Sequence, residues 1–362
     1  MNSLSALIHR RTFVGVVAAT AGFAFAPKAF AFQATPTAAL KLMPSPPAEL
    51  GAPETPPATV STAEDADAFD KVMAPYEGFG TDAAPGVFPR TIRHAMGEVT
   101  LESAPVKVVT LDVGELDAVL LMGVVPVGAV EYTGTSWADF IAEQAQEIVI
   151  VGTLEEPDFE AIAALNPDVI ISSKLRHEAI YEQLNRIAPT MFSERPGVAF
   201  RHNFALYAQT LGREVEAAAV VERYEARVKE LNAALPAERP VTAVVQLRTD
   251  HVRFYQRSNF IGLVLADLGI PRCEIENVDD FAAVVSNEQL NEIADSELIF
   301  VAVQSQEDNP YAEEILAAPL WQSLPAVAAG NLVTVDNAIW IAGVGYGSAF
   351  EVLDDIAEHF GV

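Results

Sequence analysis

The sequence predicts an α/β protein of two lobes, each built on a parallel sheet, with one long helix joining them. Three observations carry this expectation. Short β-branched runs alternate with helical patterns from about residue 106 onward; one helix-and-strand passage recurs in each half; and between the halves the stretch from Phe200 to Leu235 holds no proline and one glycine.

In the first half, Val106 to Leu111 reads as a strand, Glu115 to Met122 as a helix, Pro126 to Val130 and Glu147 to Val151 as strands, Phe159 to Leu165 as a helix and Val169 to Ser172 as a strand. Strands alternating with helices imply crossover connections, and these give a parallel sheet covered on both faces. The second half repeats the order. Val241 to Leu247 and Val252 to Gln256 are strand-like, Phe260 to Leu268 and Asn287 to Ile293 helical, and Leu298 to Val303 and Leu332 to Val335 strand-like. The recurrence is nearly in register. Glu160 to Leu165, followed by Asn-Pro-Asp and the run from Val169 to Ile171, parallels Glu288 to Ile293, followed by Ala-Asp-Ser-Glu and the run from Leu298 to Phe300. Between them, Leu206, Leu211, Val215, Val220, Tyr224, Val228 and Leu231 fall at mostly helical spacings, with Gly212 as the point of weakness.

The flanking segment differs in kind. His9-Arg10-Arg11 precedes an apolar run from Phe13 to Ala26, and Ala29-Phe30-Ala31 offers small residues for cleavage, so residues 1–31 are expected to be an export signal. The paired arginines fit both an ordinary and a twin-arginine signal. Residues 34–60 contain seven prolines among Ala, Thr, Ser and Glu, a composition unable to bury a core, and residues 32–88 are expected to be a disordered linker. The lobes then occupy 89–199 and 237–362, with 200–236 as the connecting helix.

Composition narrows the function. A net charge of −28 excludes nucleic acid as the main partner, since phosphate backbones require basic faces. The single cysteine, Cys273, leaves no internal disulfide and no lipid-bearing cysteine at the cleavage site. The expectation is therefore a periplasmic monomer without a lipid anchor. The six histidines show no metal-ligand spacing, and no nucleophile, base and orienting acid form a catalytic set, so neither a directly bound metal, nor a cofactor, nor an enzyme is expected. Gly343-Val-Gly345-Tyr-Gly347-Ser348 lacks the spacing of a nucleotide loop or nucleophile elbow and reads as a helix start.

In open parallel sheets, ligands sit beyond the carboxyl ends of the strands. In a chain with only 22 Lys and Arg, the segments there are basic: Lys174, Arg176 and His177 follow one strand, and Arg248, His251, Arg253 and Arg257 surround Tyr255. Arginine forks facing each other from two lobes suit an anionic ligand, while ordinary surface cations balanced by nearby acids are the plainer alternative. Tyr132, Trp137 and Trp340 place aromatic bodies at further strand ends.

Several passages carry a family resemblance. The stretch from Val108 to Gly128, with Asp112, Asp117, Gly123 and Pro126, resembles the opening of the ferric-siderophore and cobalamin binding proteins. Asn166 to Glu178, Tyr181 to Leu184, Ile187 to Thr190, Val252 to Tyr255, Phe260 to Gly269 and Pro319 to Val327 are similar to its iron-dicitrate and citrate-hydroxamate branch. The resemblance implies a class III periplasmic binding protein: two Rossmann-like lobes, one bridging helix, little hinge motion and no catalysis. It implies that the ligand is a ferric siderophore whose iron is held by the chelator alone. It places Arg176 and Arg253 on the chelate with Tyr255 and Trp340 beside it; Arg248, Tyr132, Trp137 and His177 complete the expected set. Delivery would be to an ABC permease with its ATPase, docked through one exposed acid per lobe, Asp117 and Glu288, with Glu115 in reserve. Cobalamin or haem on the same scaffold is the alternative, haem requiring an axial Tyr or His. An α/β envelope hydrolase is the remote one.

Overall fold

The computed structural model describes residues 73–131, 137–305 and 309–362. The expected export signal, most of the expected linker and Tyr132 lie outside the described residues.

Twelve strands are described. A hairpin of β1 (Arg90–His94) and β2 (Gly97–Leu101) precedes the first sheet, which comprises β3 (Val108–Thr110), β4 (Gly128–Glu131), β5 (Val149–Thr153), β6 (Val169–Ser173) and β7 (Thr190–Ser193). Its order is β5-β4-β3-β6-β7, with every pairing parallel. The order reverses at β3, so a crevice opens beyond the carboxyl ends of β3 and β6. The second sheet comprises β8 (Thr242–Leu247), β9 (Val252–Tyr255), β10 (Ala282–Val285), β11 (Leu298–Val303) and β12 (Leu332–Val335), in the order β10-β9-β8-β11-β12. Here the all-parallel expectation needs correcting: β8, β11 and β12 are parallel, but β9 runs antiparallel to both β8 and β10. The cause is connection length. Only Arg248 to His251 separate β8 from β9, and a parallel crossover takes a dozen residues or more.

The connecting region is two helices. Phe200–Leu211 (α1) ends at Gly212, whose φ of +67° lies in the left-handed region, and Glu214–Ala234 (α2) follows. A Cβ on Gly212 would stand 2.6 Å from the ring of Phe88, so glycine also admits that ring to the elbow. The helix spanning the lobes is therefore shorter than the expected 200–236.

Phe88 belongs to a segment expected to be linker, and here the boundary moves. The segment 73–88 is anchored at several points: Tyr76 is buried, Gly80 bridges to Arg93, and Thr81 N donates to Gln209 Oε1 at 2.9 Å. Arg90 pairs with Glu214 inside the same joint, and Gly86 N donates to Glu214 Oε2 at 3.1 Å. The polar Thr81-Asp-Ala-Ala-Pro-Gly86 stretch folds because buried partners on α1 and α2 receive its backbone groups.

One apolar cluster runs through both lobes. Phe200 meets Phe260 of the C-terminal lobe at 5.3 Å and Tyr346 at 5.3 Å, both edge-on. Two further helices hold the lobes together: Val113–Leu121 (α3) and the last helix, Tyr346–Phe360 (α4). The Asp117 carboxylate of α3 accepts hydrogen bonds from the backbone of Gly347 and Ser348, both at 2.9 Å, at the amino end of α4. Cβ atoms on Gly345 or Gly347 would collide with that carboxylate at 2.6 and 2.8 Å. The glycine motif is a helix start, shaped to admit an acid from the other lobe.

Candidate ligand-binding cleft

A cavity of about 490 Å³ lies between the lobes, within the range of small-molecule sites. It is lined by residues that follow β5, β6 and β7 in the first lobe and β8, β11 and β12 in the second. Its charged lining residues are Arg176, Arg195, Arg248 and Arg253 against one carboxylate, Glu155. In a protein of net charge −28 this local excess of cations is the reverse of the bulk.

Arg176 sits on the short helix Lys174–His177, directly beyond β6. Its Nε donates to Asp112 Oδ2 at 3.0 Å, while Asp112 Oδ1 accepts from Val113 N at 2.7 Å and so caps α3. The buried carboxylate thus orients the guanidinium as well as starting the helix. Across the cleft, Arg253 and Tyr255 are two residues apart on β9 and share a face. Arg253 Nε donates to His251 Nε2 at 3.0 Å, and His251 Nδ1 lies 2.7 Å from Asp250 Oδ1, which fixes the histidine as the Nδ1–H tautomer. The Tyr255 hydroxyl donates to Gln246 Oε1 at 3.2 Å, and Gln246 Nε2 donates to Asn337 Oδ1 at 2.7 Å. Burial raises the Tyr255 pKa, so the hydroxyl keeps its proton.

Three buried polar atoms in this wall have no hydrogen-bond partner: Arg195 Nε, Arg248 Nε and Gln304 Oε1. Unmatched buried donors and acceptors are uncommon, and these three belong to residues that line the cavity, although others lie elsewhere among the described residues. Arg248 lines the same cavity as Arg176, Arg253 and Tyr255. Arg195, Gln246, Gln304 and Asn337 were not anticipated. Arg195 follows β7, a strand too short and too mixed in character to stand out; Gln304 follows β11, where the position alone was a usable signal.

Other expected residues fall elsewhere. Trp340 borders the cavity but is fully buried, its ring 4.5 Å from Phe300 and its Nε1 donating to Asp355 Oδ2 at 2.8 Å. It supports the wall from behind. His177 does not reach the cavity: its ring nitrogens lie 2.6 Å from Ser172 Oγ and 2.6 Å from the Leu154 carbonyl, and burial lowers its pKa. Neighbouring Arg176 on so short a helix points outward, and His177 therefore points inward; it is also unavailable as an axial ligand for haem. Trp137 packs beside Phe140 on the cluster of Val113, Leu116 and Ile141, with Nε1 donating to the Val130 carbonyl at 3.2 Å. It lies outside the cleft.

The two expected docking acids of the first lobe are also interior. Asp117 is 1% exposed, and burial pushes its pKa up to about 6 against the hydrogen bonds from Ser348 and Gly347. Glu115 is 1% exposed, with Oε1 3.1 Å from the Tyr207 hydroxyl; burial first, then the Asp112 charge, push it up to about 8. An inward-facing helix that carries acids for internal bonds looks, in sequence, like one that displays them. Glu288 by contrast is exposed, at the second position of the 3₁₀ helix Asn287–Ile293.

Among the described residues no group of three or more His, Cys, Asp or Glu is arranged to hold a metal, and no helix is long and apolar enough to cross a membrane.

The chain has clear relatives. The family model described as periplasmic binding protein matches residues 108–339. The probable siderophore-binding lipoprotein YfiY of Bacillus subtilis is 32% identical over 284 residues, covering 75% of this chain and 87% of that protein. The Fe(3+) dicitrate-binding periplasmic protein FecB of Escherichia coli is 26% identical over 282 residues, covering 75% and 91%. The crystal structure of Staphylococcus aureus SirA complexed with staphyloferrin B superposes with a TM-score of 0.66 at 30% identity, covering 75% of this chain and 98% of that one. The two sheets, the bridging helices and these matches agree: the chain belongs to the periplasmic binding protein family.

Proposed function

We propose that the protein is the exported substrate-binding component of an ABC importer, capturing a ferric siderophore of the citrate or citrate-hydroxamate type and delivering it to a membrane permease. The observation that carries this reading is the cleft with four arginines and one carboxylate. Citrate-type chelates present carboxylates, which the planar guanidinium matches in two-point fashion. The iron arrives already coordinated, so the protein recognises the complex and supplies no metal ligand. The relatives named above, a probable siderophore-binding lipoprotein, an Fe(3+) dicitrate-binding protein and a protein complexed with staphyloferrin B, support the same class.

For docking, the internal repeat supplies the acid that the interior position of Asp117 removes. Glu160 is the second residue of the helix Phe159–Leu165 after its cap Asp158, as Glu288 is the second residue after Ser286, and both are exposed. Glu160 and Glu288 are therefore the matched pair, one per lobe, offered to the permease. The protein acts as a monomer in the envelope.

Native mass spectrometry of the purified protein tests the reading. One ferric citrate or citrate-hydroxamate complex per chain is the expected result, with haem and cobalamin unbound. Retention of haem or cobalamin in place of every ferric chelate would overturn it.

A further inference from the structure

Arg195 is a cleft residue whose Nε is buried without a hydrogen-bond partner, yet whose backbone is held from an unexpected direction. It stands just beyond β7, where the ladder has ended at Ser193, so its N–H and carbonyl need partners of another kind. Two side chains provide them. Arg195 N donates to the Tyr76 hydroxyl at 3.2 Å, that hydroxyl lies 2.9 Å from Asn203 Oδ1, and Asn203 Nδ2 donates to the Arg195 carbonyl at 2.8 Å. With the phenol proton on Asn203, the three bonds close a ring that satisfies both backbone groups.

Tyr76 reaches this point from 119 positions earlier in the chain, ahead of the span matched by the family model. It is 1% exposed, packed edge-on against Phe79 at 5.3 Å and beside His202 at 5.4 Å. Burial raises its pKa, so the hydroxyl remains a donor. The segment carrying it is fixed in turn by the Gly80 bridge to Arg93 and by Gln209 and Glu214.

We infer that Arg195 is a further ligand-binding residue of the cleft and that Tyr76 is its positioning residue, so that the segment before the first lobe sets the affinity for the anionic chelate. The inference rests on the proposed function, whose ligand gives Arg195 its partner. Tyr76 itself never touches the ligand; it fixes the loop from which the guanidinium extends. Loss of the hydroxyl frees that loop, and the ligand must then order it on binding.

The test is a double-mutant cycle on ligand affinity, using Tyr76→Phe, Arg195→Ala and both together, titrated with ferric citrate and a ferric citrate-hydroxamate. Melting temperatures are measured in parallel, because a purely structural loss would lower the melting point without changing the affinity of the folded protein. Arg195→Ala is expected to weaken binding about tenfold or more, as for a charge-assisted contact. Tyr76→Phe keeps the ring and is expected to weaken binding about threefold to tenfold, and the double variant should bind like Arg195→Ala alone. Wild-type affinity in either single variant, or additive losses in the double, would overturn the inference while leaving the proposed function intact. A wild-type protein that binds neither chelate overturns both.

Discussion

The two lobes reach the same chemistry by different local routes. In the first lobe, Arg176 on a short helix and Arg195 in a loop each follow a parallel strand; in the second, Arg248 and Arg253 belong to one tight hairpin. Yet each lobe contributes one arginine whose Nε is already engaged, Arg176 by Asp112 and Arg253 by His251, and one whose Nε is buried without a partner, Arg195 and Arg248. The engaged pair is held in place before any ligand arrives. The other pair lacks such an anchor at Nε, so its guanidinium groups are fixed less firmly before binding.

The largest expected effect breaks the engaged pair. Arg176→Ala with Arg253→Ala removes two charge-assisted contacts, each on the order of 2 kcal/mol, so affinity should fall on the order of a thousandfold. Isothermal titration, with circular dichroism to confirm folding, measures it. Next comes the joint on which the comparison depends. Asp117→Ala strands the Gly347 and Ser348 N–H groups and the Ser348 hydroxyl, and should cost about 3 kcal/mol in urea unfolding.

A smaller effect concerns pH. Glu115 is raised in the folded state from 4.5 to about 8, so the fold binds its proton more tightly than the unfolded chain does. Its contribution to stability is therefore present below the lower value and is lost as pH rises to the upper one. Glu115→Gln should flatten the decline of melting temperature across that window; an unchanged slope would contradict the assignment. The smallest effect on binding is expected from Glu160→Ala and Glu288→Ala. Neither should alter affinity, while each should slow iron uptake in cells and both together should slow it most.

Much of the fold was legible because β-branched runs and helical periodicity repeat in each half, and the duplicated unit at Glu160 and Glu288 set the register. The antiparallel β9 is legible too, because the four residues between β8 and β9 are too few for a parallel crossover. The break at Gly212 and the packed segment around Tyr76 depend on contacts distant in sequence, Phe88 with Gly212 and Tyr76 with Arg195, which no local pattern encodes. In the site, Arg176, Arg248, Arg253 and Tyr255 followed from strand ends. His177, Trp137, Asp117 and Glu115 share those neighbourhoods but turn inward, and orientation on a short helix or a buried face is decided by packing.

The most direct measurement is a fluorescence titration of the protein, whose three tryptophans include Trp340 at the cleft wall, with ferric citrate, a ferric citrate-hydroxamate, a ferric catecholate, haem and cobalamin. Saturable quenching by a carboxylate-bearing ferric chelate, weakened by Arg176→Ala and by Arg248→Ala, is the predicted result. Quenching by haem or cobalamin alone, or a ferric chelate bound equally well without those arginines, would contradict the account.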